Sequence, residues 1–148
     1  MKIWEDLQQG IANSIPSGTE CELKMMHSKS ALTRFANSQI HQNVDEESAD
    51  IFLTLHNDSK TITISTNFTA LDSPEKFVTK ALEALENSPI DKGWAGLPDS
   101  SESFSGHSKI EESTPDERAN KVKEFVSEGK KMNAAGYCSS YINNYFVW

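Results

Sequence analysis

The chain has 148 residues, a net charge of −8, and 36% hydrophobic and 24% charged side chains, the balance of one globular domain able to bury a core. That acidity works against nucleic-acid binding, which draws its affinity from Lys and Arg on phosphates, and no apolar run approaches the roughly 20 residues of a membrane helix. The start, Met1-Lys2-Ile3-Trp4-Glu5-Asp6, is acidic and amphipathic rather than a signal peptide, so a cytoplasmic protein with Cys21 and Cys138 as reduced thiols is expected.

Ile3, Leu7 and Ile11, with Trp4 and Ile15 widening the stripe, predict a helix over 3–15 that Pro16-Ser17-Gly18 stops. Alternation then predicts strands at 21–26, 31–36 and 40–44, with Asn37-Ser38 as a turn. Ile51, Leu53 and Leu55 pair with Ile62 and Ile64 across Asn57-Asp58-Ser59-Lys60, the clearest hairpin of the chain. A second helix starts at Ser73-Pro74-Glu75, with Ser73 as N-cap and an apolar face of Phe77, Val78, Ala81, Leu82 and Leu85. Periodicity vanishes over 88–113, which reads as a long loop, mobile around 100–108.

Thr114-Pro115-Asp116-Glu117 is a capping box opening a third helix, with Ala119, Val122, Phe125, Val126 and Met132 expected inward and Gly136 just past its end. Lys121, Lys123, Lys130 and Lys131 sit among Glu124 and Glu128, a solvated helix face rather than a nucleic-acid patch. Residues 137–148 read as a further strand. The expected fold is therefore α+β: an antiparallel-rich sheet of five to six strands with three helices packed on it, as a single domain over 1–148. Because the chain stops on Tyr145-Phe146-Val147-Trp148, either that strand docks in mid-sheet or the polypeptide continues; the second is favoured.

No complete active site is visible. The four histidines, His27, His41, His56 and His107, are spread too widely for a metal motif, and His56 near Asp58 reads as an exposed turn histidine. Ser105-Gly106-His107-Ser108 lacks the strand–turn–helix setting of a nucleophile, and Cys138 has no local base or positive charge to activate it. No metal ligand, catalytic residue or cofactor site is assigned. A small hydrolase built on Cys138 or His41 is the third-ranked reading. Arg34, Asn37, His41, Gln42 and Asn43 concentrate directional hydrogen-bonding groups around one predicted hairpin. They are the candidate surface for an extended peptide or a partner's backbone, against the bland alternative of a solvated turn.

Residues 31–43, ALTRFANSQIHQN, resemble the N-terminal domain of the TldD/PmbA family, also called modulator of DNA gyrase. Ser65-Thr66-Asn67 with Leu71-Asp72, Trp94-Ala95-Gly96-Leu97-Pro98, and Ala134-Ala135-Gly136-Tyr137-Cys138-Ser139 follow in the family's order. The wording of the 34–43 segment is closer to PmbA-like members. The resemblance implies a two-domain cytoplasmic parent with an α/β N-terminal domain and a larger β-rich C-terminal domain absent from this chain. It also implies pairing, as homo- or hetero-oligomer, with a TldD/PmbA-type partner in a zinc-dependent peptidase acting on peptides or unfolded segments. The family's H-E-x-x-x-H helix has no counterpart here, so zinc is implied for the parent complex and not for these residues. The implied role is a non-catalytic domain serving dimerisation and peptide access; the alternative is a free-standing module binding a partner through a strand edge or the 34–43 hairpin.

Overall fold

The computed structural model describes residues 2–97, 106 and 111–148. The element order is α1 (Lys2–Ser14), β1 (Glu20–Ala36), β2 (Gln39–Asn57), β3 (Lys60–Asn67), α2 (Pro74–Glu86), α3 (Pro115–Gly129) and β4 (Gly136–Val147). Single 3-10 turns follow β3 at Phe68–Ala70 and α3 at Lys130–Met132. The strands form one four-stranded sheet in the order β3-β2-β1-β4. The α+β class and the three helices stand, but the expectation of five to six strands is corrected to four among the described residues.

The surplus came from splitting two long strands. The strands expected at 21–26 and 31–36 are one 17-residue strand, β1, and those at 40–44 and 51–56 are one 19-residue strand, β2. The joining stretches, His27-Ser28-Lys29-Ser30 and Asp45-Glu46-Glu47-Ser48, carry no apolar alternation and so read as breaks. Backbone pairing needs no apolar side chain, and the polar groups meet each other there, as when the His27 Nε2 contacts Glu47 Oε1.

Two-residue loops close both hairpins. Asn37 and Ser38 have φ of 49° and 58°, and Asp58 and Ser59 have φ of 48° and 60°. Positive φ at both central positions gives the primed turn whose twist matches that of the flanking strands. The second turn sets the β2–β3 register, with Asn57 opposite Lys60, Leu55 opposite Ile62 and Leu53 opposite Ile64.

The described residues fall into two compact units. One is drawn from Met1–Met26, Ala49–Ser105 and Tyr145–Trp148. Its core joins Leu7 and Ile11 of α1, Leu23 and Met25 of β1, Ile51, Leu53 and Leu55 of β2, and Phe77, Val78, Ala81 and Leu85 of α2. α1 and α2 approach closely because Gly10 lacks a side chain; a Cβ there would lie 2.9 Å from Pro74 Cγ. Ile3, expected on the buried stripe, is exposed.

The other unit is drawn from His27–Ser48 and Gly106–Asn144. Its apolar core is small: Phe35, Val122 and Val126, with Ile40, Ala134 and Cys138 against them. The inward face of α3 differs from the expected one. Phe125 and Met132 are exposed at 62% and 83%, whereas Arg118 is buried at 2%. Positions 118, 122 and 126 recur every four residues and share one helix face, so a charged side chain extends a stripe whose other members are valines. α3 and its 3-10 turn end on Asn133, which takes the left-handed conformation at φ 48°. Gly136, expected in that role, instead opens β4 beneath Phe35, where a Cβ would lie 2.8 Å from the ring.

The predicted N-caps are both present. The Ser73 Oγ accepts from the Lys76 N–H at 3.2 Å. In the Thr114 box, the Glu117 N–H donates to Thr114 Oγ1 at 3.2 Å and the Thr114 N–H donates to Glu117 Oε2 at 2.8 Å. The Thr114 N–H and, at 3.1 Å, the Thr114 hydroxyl both donate to the Glu117 carboxylate and hold it below its ordinary value, the N–H contributing most. Thr114→Ala is expected to lower stability by about 1 kcal/mol in urea titration. Because the folded carboxyl titrates lower than the unfolded one, its contribution is complete above the ordinary value of 4.5 and disappears as pH falls through the folded value. The urea midpoints of wild type and Glu117→Ala should therefore converge in acid.

Candidate functional site

The five candidate residues lie on the hairpin of β1 and β2 within the second unit. Arg34 sits between buried Thr33 and Phe35, so strand alternation turns its guanidinium to solvent. Asn37 occupies the turn; His41, Gln42 and Asn43 are exposed on β2. The fold thus brings all five to one hairpin end. They do not, however, play one role. The Asn43 Oδ1 accepts a 2.7 Å hydrogen bond from the hydroxyl of Thr33, which is fully buried. Among the described residues, Arg34, Asn37, His41 and Gln42 make no side-chain hydrogen bond. Asn43 is therefore a structural acceptor as well as a candidate contact.

The hairpin turn is fixed from outside its own strands. The Ser38 N–H donates to the Ala134 carbonyl at 3.0 Å, and the Ser38 Oγ reaches the Gly129 carbonyl at 3.4 Å. The end of α3 and the approach to β4 thereby hold the turn that presents Asn37. This is the pre-organisation that a binding surface needs, since a loop ordered in advance loses less entropy on binding.

Further along the same strands, Lys29, Asp45, Glu46, Glu47 and Glu112 edge a depression of about 390 Å³, with hydroxyls of Ser30, Ser113, Thr114 and Ser140 also lining it. Its charges are largely engaged. Lys29 Nζ donates to Glu112 Oε1 at 3.0 Å, and that bond, with the carboxylate's charge, raises the lysine above its ordinary value. Arg118 donates to Asp45 Oδ1 and to the Ser113 carbonyl, each at 2.6 Å, while its buried Nε–H has no partner among the described residues. Sequence reading missed Arg118, Asp45 and Thr33. The detectable signal was the every-fourth spacing of 118, 122 and 126.

The candidates for chemistry are separated or occupied. His27 meets Glu47; His41 is exposed; His56 is half-buried, bonded to Thr61 Oγ1 at 2.8 Å and stacked on Trp94 at 4.8 Å between ring centroids. His56 is thus not the exposed turn histidine expected. The loop after α2 clamps over it, with Trp94 Nε1 donating to Glu20 Oε2 at 2.7 Å and a bridge between Lys60 and Ile90. Within the stretch expected as a loop over 88–113, Ile90, Asp91 and Trp94 are thus fastened to the sheet. Residues 98–105 and 107–110 lie outside the described residues, and with them Pro98, the Ser105-Gly106-His107-Ser108 motif apart from Gly106, and most of the segment expected to be mobile.

Both cysteines are free. Burial, with the Glu22 charge adding, pushes the Cys21 thiol up to about 11, the opposite of an activated nucleophile. Cys138 packs against the Phe35, Val122 and Val126 cluster. Among the described residues, no three His, Cys, Asp or Glu side chains converge as a metal would require. The donor set of the described residues therefore does not fit zinc.

Two stability measurements separate structural from surface roles. Asn43→Ala strands the buried Thr33 hydroxyl and should cost about 1–3 kcal/mol in urea titration, whereas Arg34→Ala and His41→Ala should stay within about 0.5 kcal/mol of wild type. Asp45→Ala leaves a buried guanidinium short of its carboxylate and should likewise cost about 1–3 kcal/mol. Arg118→Met should cost less, because the Asp45 left behind is half-exposed and stays hydrated.

The sequence matches no family model and no curated protein. Solved structures do match. TldE from Thermococcus kodakarensis superimposes with a TM-score of 0.77 at 13% identity, over 98% of this chain and 34% of that one. A candidate modulator of DNA gyrase from Thermotoga maritima gives 0.74 at 18% identity, over 98% of this chain and 35% of that one. Another from Bacteroides thetaiotaomicron gives 0.65 at 15% identity, over 99% and 35%. The chain spans about a third of the length of each. The TldD/PmbA resemblance carried by residues 31–43 thus holds at the level of fold: this chain has, nearly end to end, the architecture of one third of a TldE or gyrase-modulator chain.

Proposed function

We propose that the chain is a non-catalytic domain of a TldD/PmbA-type, peptidase-related assembly. It contributes to association with a TldD/PmbA-type partner and shapes the path by which peptide or unfolded segments reach a zinc-dependent centre held elsewhere, in the cytoplasm. The observation that supports this most is the extent of the fold match, nearly all of this chain against a third of much longer ones. The raised Cys21 thiol, too weakly acidic for a nucleophile, accords with that reading. Arg34, Asn37, His41 and Gln42, held on a braced hairpin, supply donors and acceptors suited to an extended backbone.

The test is reconstitution with a metal-bearing TldD-type chain and an unfolded protein substrate. The chain by itself, with zinc supplied, should release no peptides. Added to the metal-bearing chain it should raise turnover, and the double variant Arg34→Ala/His41→Ala should raise KM several-fold with little change in kcat. Turnover by the isolated chain would refute the reading, as would a double variant indistinguishable from wild type.

A further inference from the structure

β4 lies at one edge of the sheet, and edges in natural proteins are blunted by charge, proline, brevity or cover. β4 shows none of the first three. It runs twelve residues as GYCSSYINNYFV, without a proline or a charged side chain, and from Asn133 to Trp148 no charge occurs in a chain of net charge −8. Tyr137, Tyr141 and Tyr145 are 70%, 67% and 58% exposed on it, with Val147 at 60%. A four-residue spacing on a strand keeps all three tyrosines on one face.

The direction of the unpaired backbone groups follows from the ladder on the other side. Leu23 and Trp148 exchange both backbone bonds, at 2.7 and 2.9 Å, as an antiparallel hydrogen-bonded pair does. Even-numbered residues of β4 therefore point N–H and C=O toward β1. Odd-numbered ones, the three tyrosines among them, point theirs to the open edge. Among the described residues, no backbone hydrogen bond reaches that edge.

We infer that this edge pairs with the same edge of a second copy, antiparallel, about a two-fold axis at Tyr141. The pattern is self-complementary in that register: Tyr141 faces Tyr141, Tyr137 faces Tyr145 twice, and Ser139 faces Asn143 twice. All are odd-numbered, so the facing residues carry the outward backbone groups, and the tyrosines form a cross-strand aromatic ladder. Charge also selects this occupant, because two acidic chains repel except where acidic groups are absent; the strand carries none, and the charge beside it is the Lys24 ammonium, 5.2 Å from the Tyr145 ring centroid. The contact closes on itself, as a two-fold interface does. It buries on the order of 1,000 Å², the lower limit of specific interfaces, so the dimer is concentration-dependent. The inference rests on the reading above only in treating the chain as part of an assembly.

Sedimentation velocity on the whole chain, from about 1 to about 100 μM, should show a monomer–dimer equilibrium. Tyr141→Lys and Tyr141→Glu chains should each weaken it at least about tenfold and associate with one another when mixed, because each residue meets its own counterpart across the axis. Asn143→Pro removes an outward N–H, which an edge strand tolerates; it should abolish the dimer with an unchanged circular dichroism spectrum. A wild-type chain monomeric throughout overturns the inference, as does a failure of the two Tyr141 variants to associate. If Asn143→Pro instead abolishes only binding to a TldD-type partner, the edge belongs to that partner; self-pairing is overturned and the proposed function stands.

Discussion

The two-residue turns are the constraint on which the remaining structure depends. Side chains alternate faces along a strand, so a slip of one residue would exchange the buried and solvent faces of everything beyond it. Asp58-Ser59 places Leu53 and Leu55 opposite Ile64 and Ile62, with Leu53 and Leu55 fully buried. Neither turn uses glycine; each holds two non-glycine residues at positive φ. Left-handed φ strains such residues, most for serine, which lacks the carboxamide or carboxylate that eases it in Asn and Asp. External bonds hold the Asn37-Ser38 turn against that strain, through Ala134 and Gly129. The hairpin carrying Arg34 and His41 is therefore positioned by contacts distant in sequence rather than by its own turn chemistry.

The two units reach order by different physics. The first buries eleven side chains, all apolar, drawn from both sheet and helices. The second buries three apolar side chains and adds two polar ones, Thr33 and Arg118. Burying polar groups is tolerable when their bonds are made, and here Asn43, Asp45 and the Ser113 carbonyl supply most of them. Hydrogen bonds are directional where apolar contacts are not. A small core fastened this way gains specificity of arrangement at the expense of tolerance to substitution.

Much of this was legible in the sequence because it rests on local rules. Both N-caps, the β2–β3 hairpin, the extent of β4 and the helix count follow from periodicity and capping chemistry acting within a few residues. The strand count failed where local pattern and tertiary pairing part company: His27–Ser30 and Asp45–Ser48 have no strand signature of their own, and they are extended because their neighbours are. Arg118 was invisible for a related reason, since a stripe reading counts apolar residues and the bond that justifies its burial comes from Asp45, 73 positions earlier. Of the five candidate residues, grouping was legible and division of labour was not. That Asn43 serves Thr33 depends on the pairing of β1 with β2, which composition does not encode.

For the surfaces of this chain, charge placement is the informative variable. Acidic residues are abundant on the helices and mid-strand segments, yet they vanish over the last sixteen residues. A solvated edge strand gains nothing from such neutrality; it loses solubility and invites pairing. The side chains that replace charge there are tyrosines, which bring apolar area and a polar hydroxyl at low rotamer cost. They sit on the same strand face at even intervals, where chance placement would divide them between the two faces. Uncharged, aromatic, regularly spaced and with its outward backbone groups unpaired among the described residues, β4 has the properties of a contact surface. The charged, hydrogen-bonded depression beside α3 has those of a surface largely engaged by its own residues.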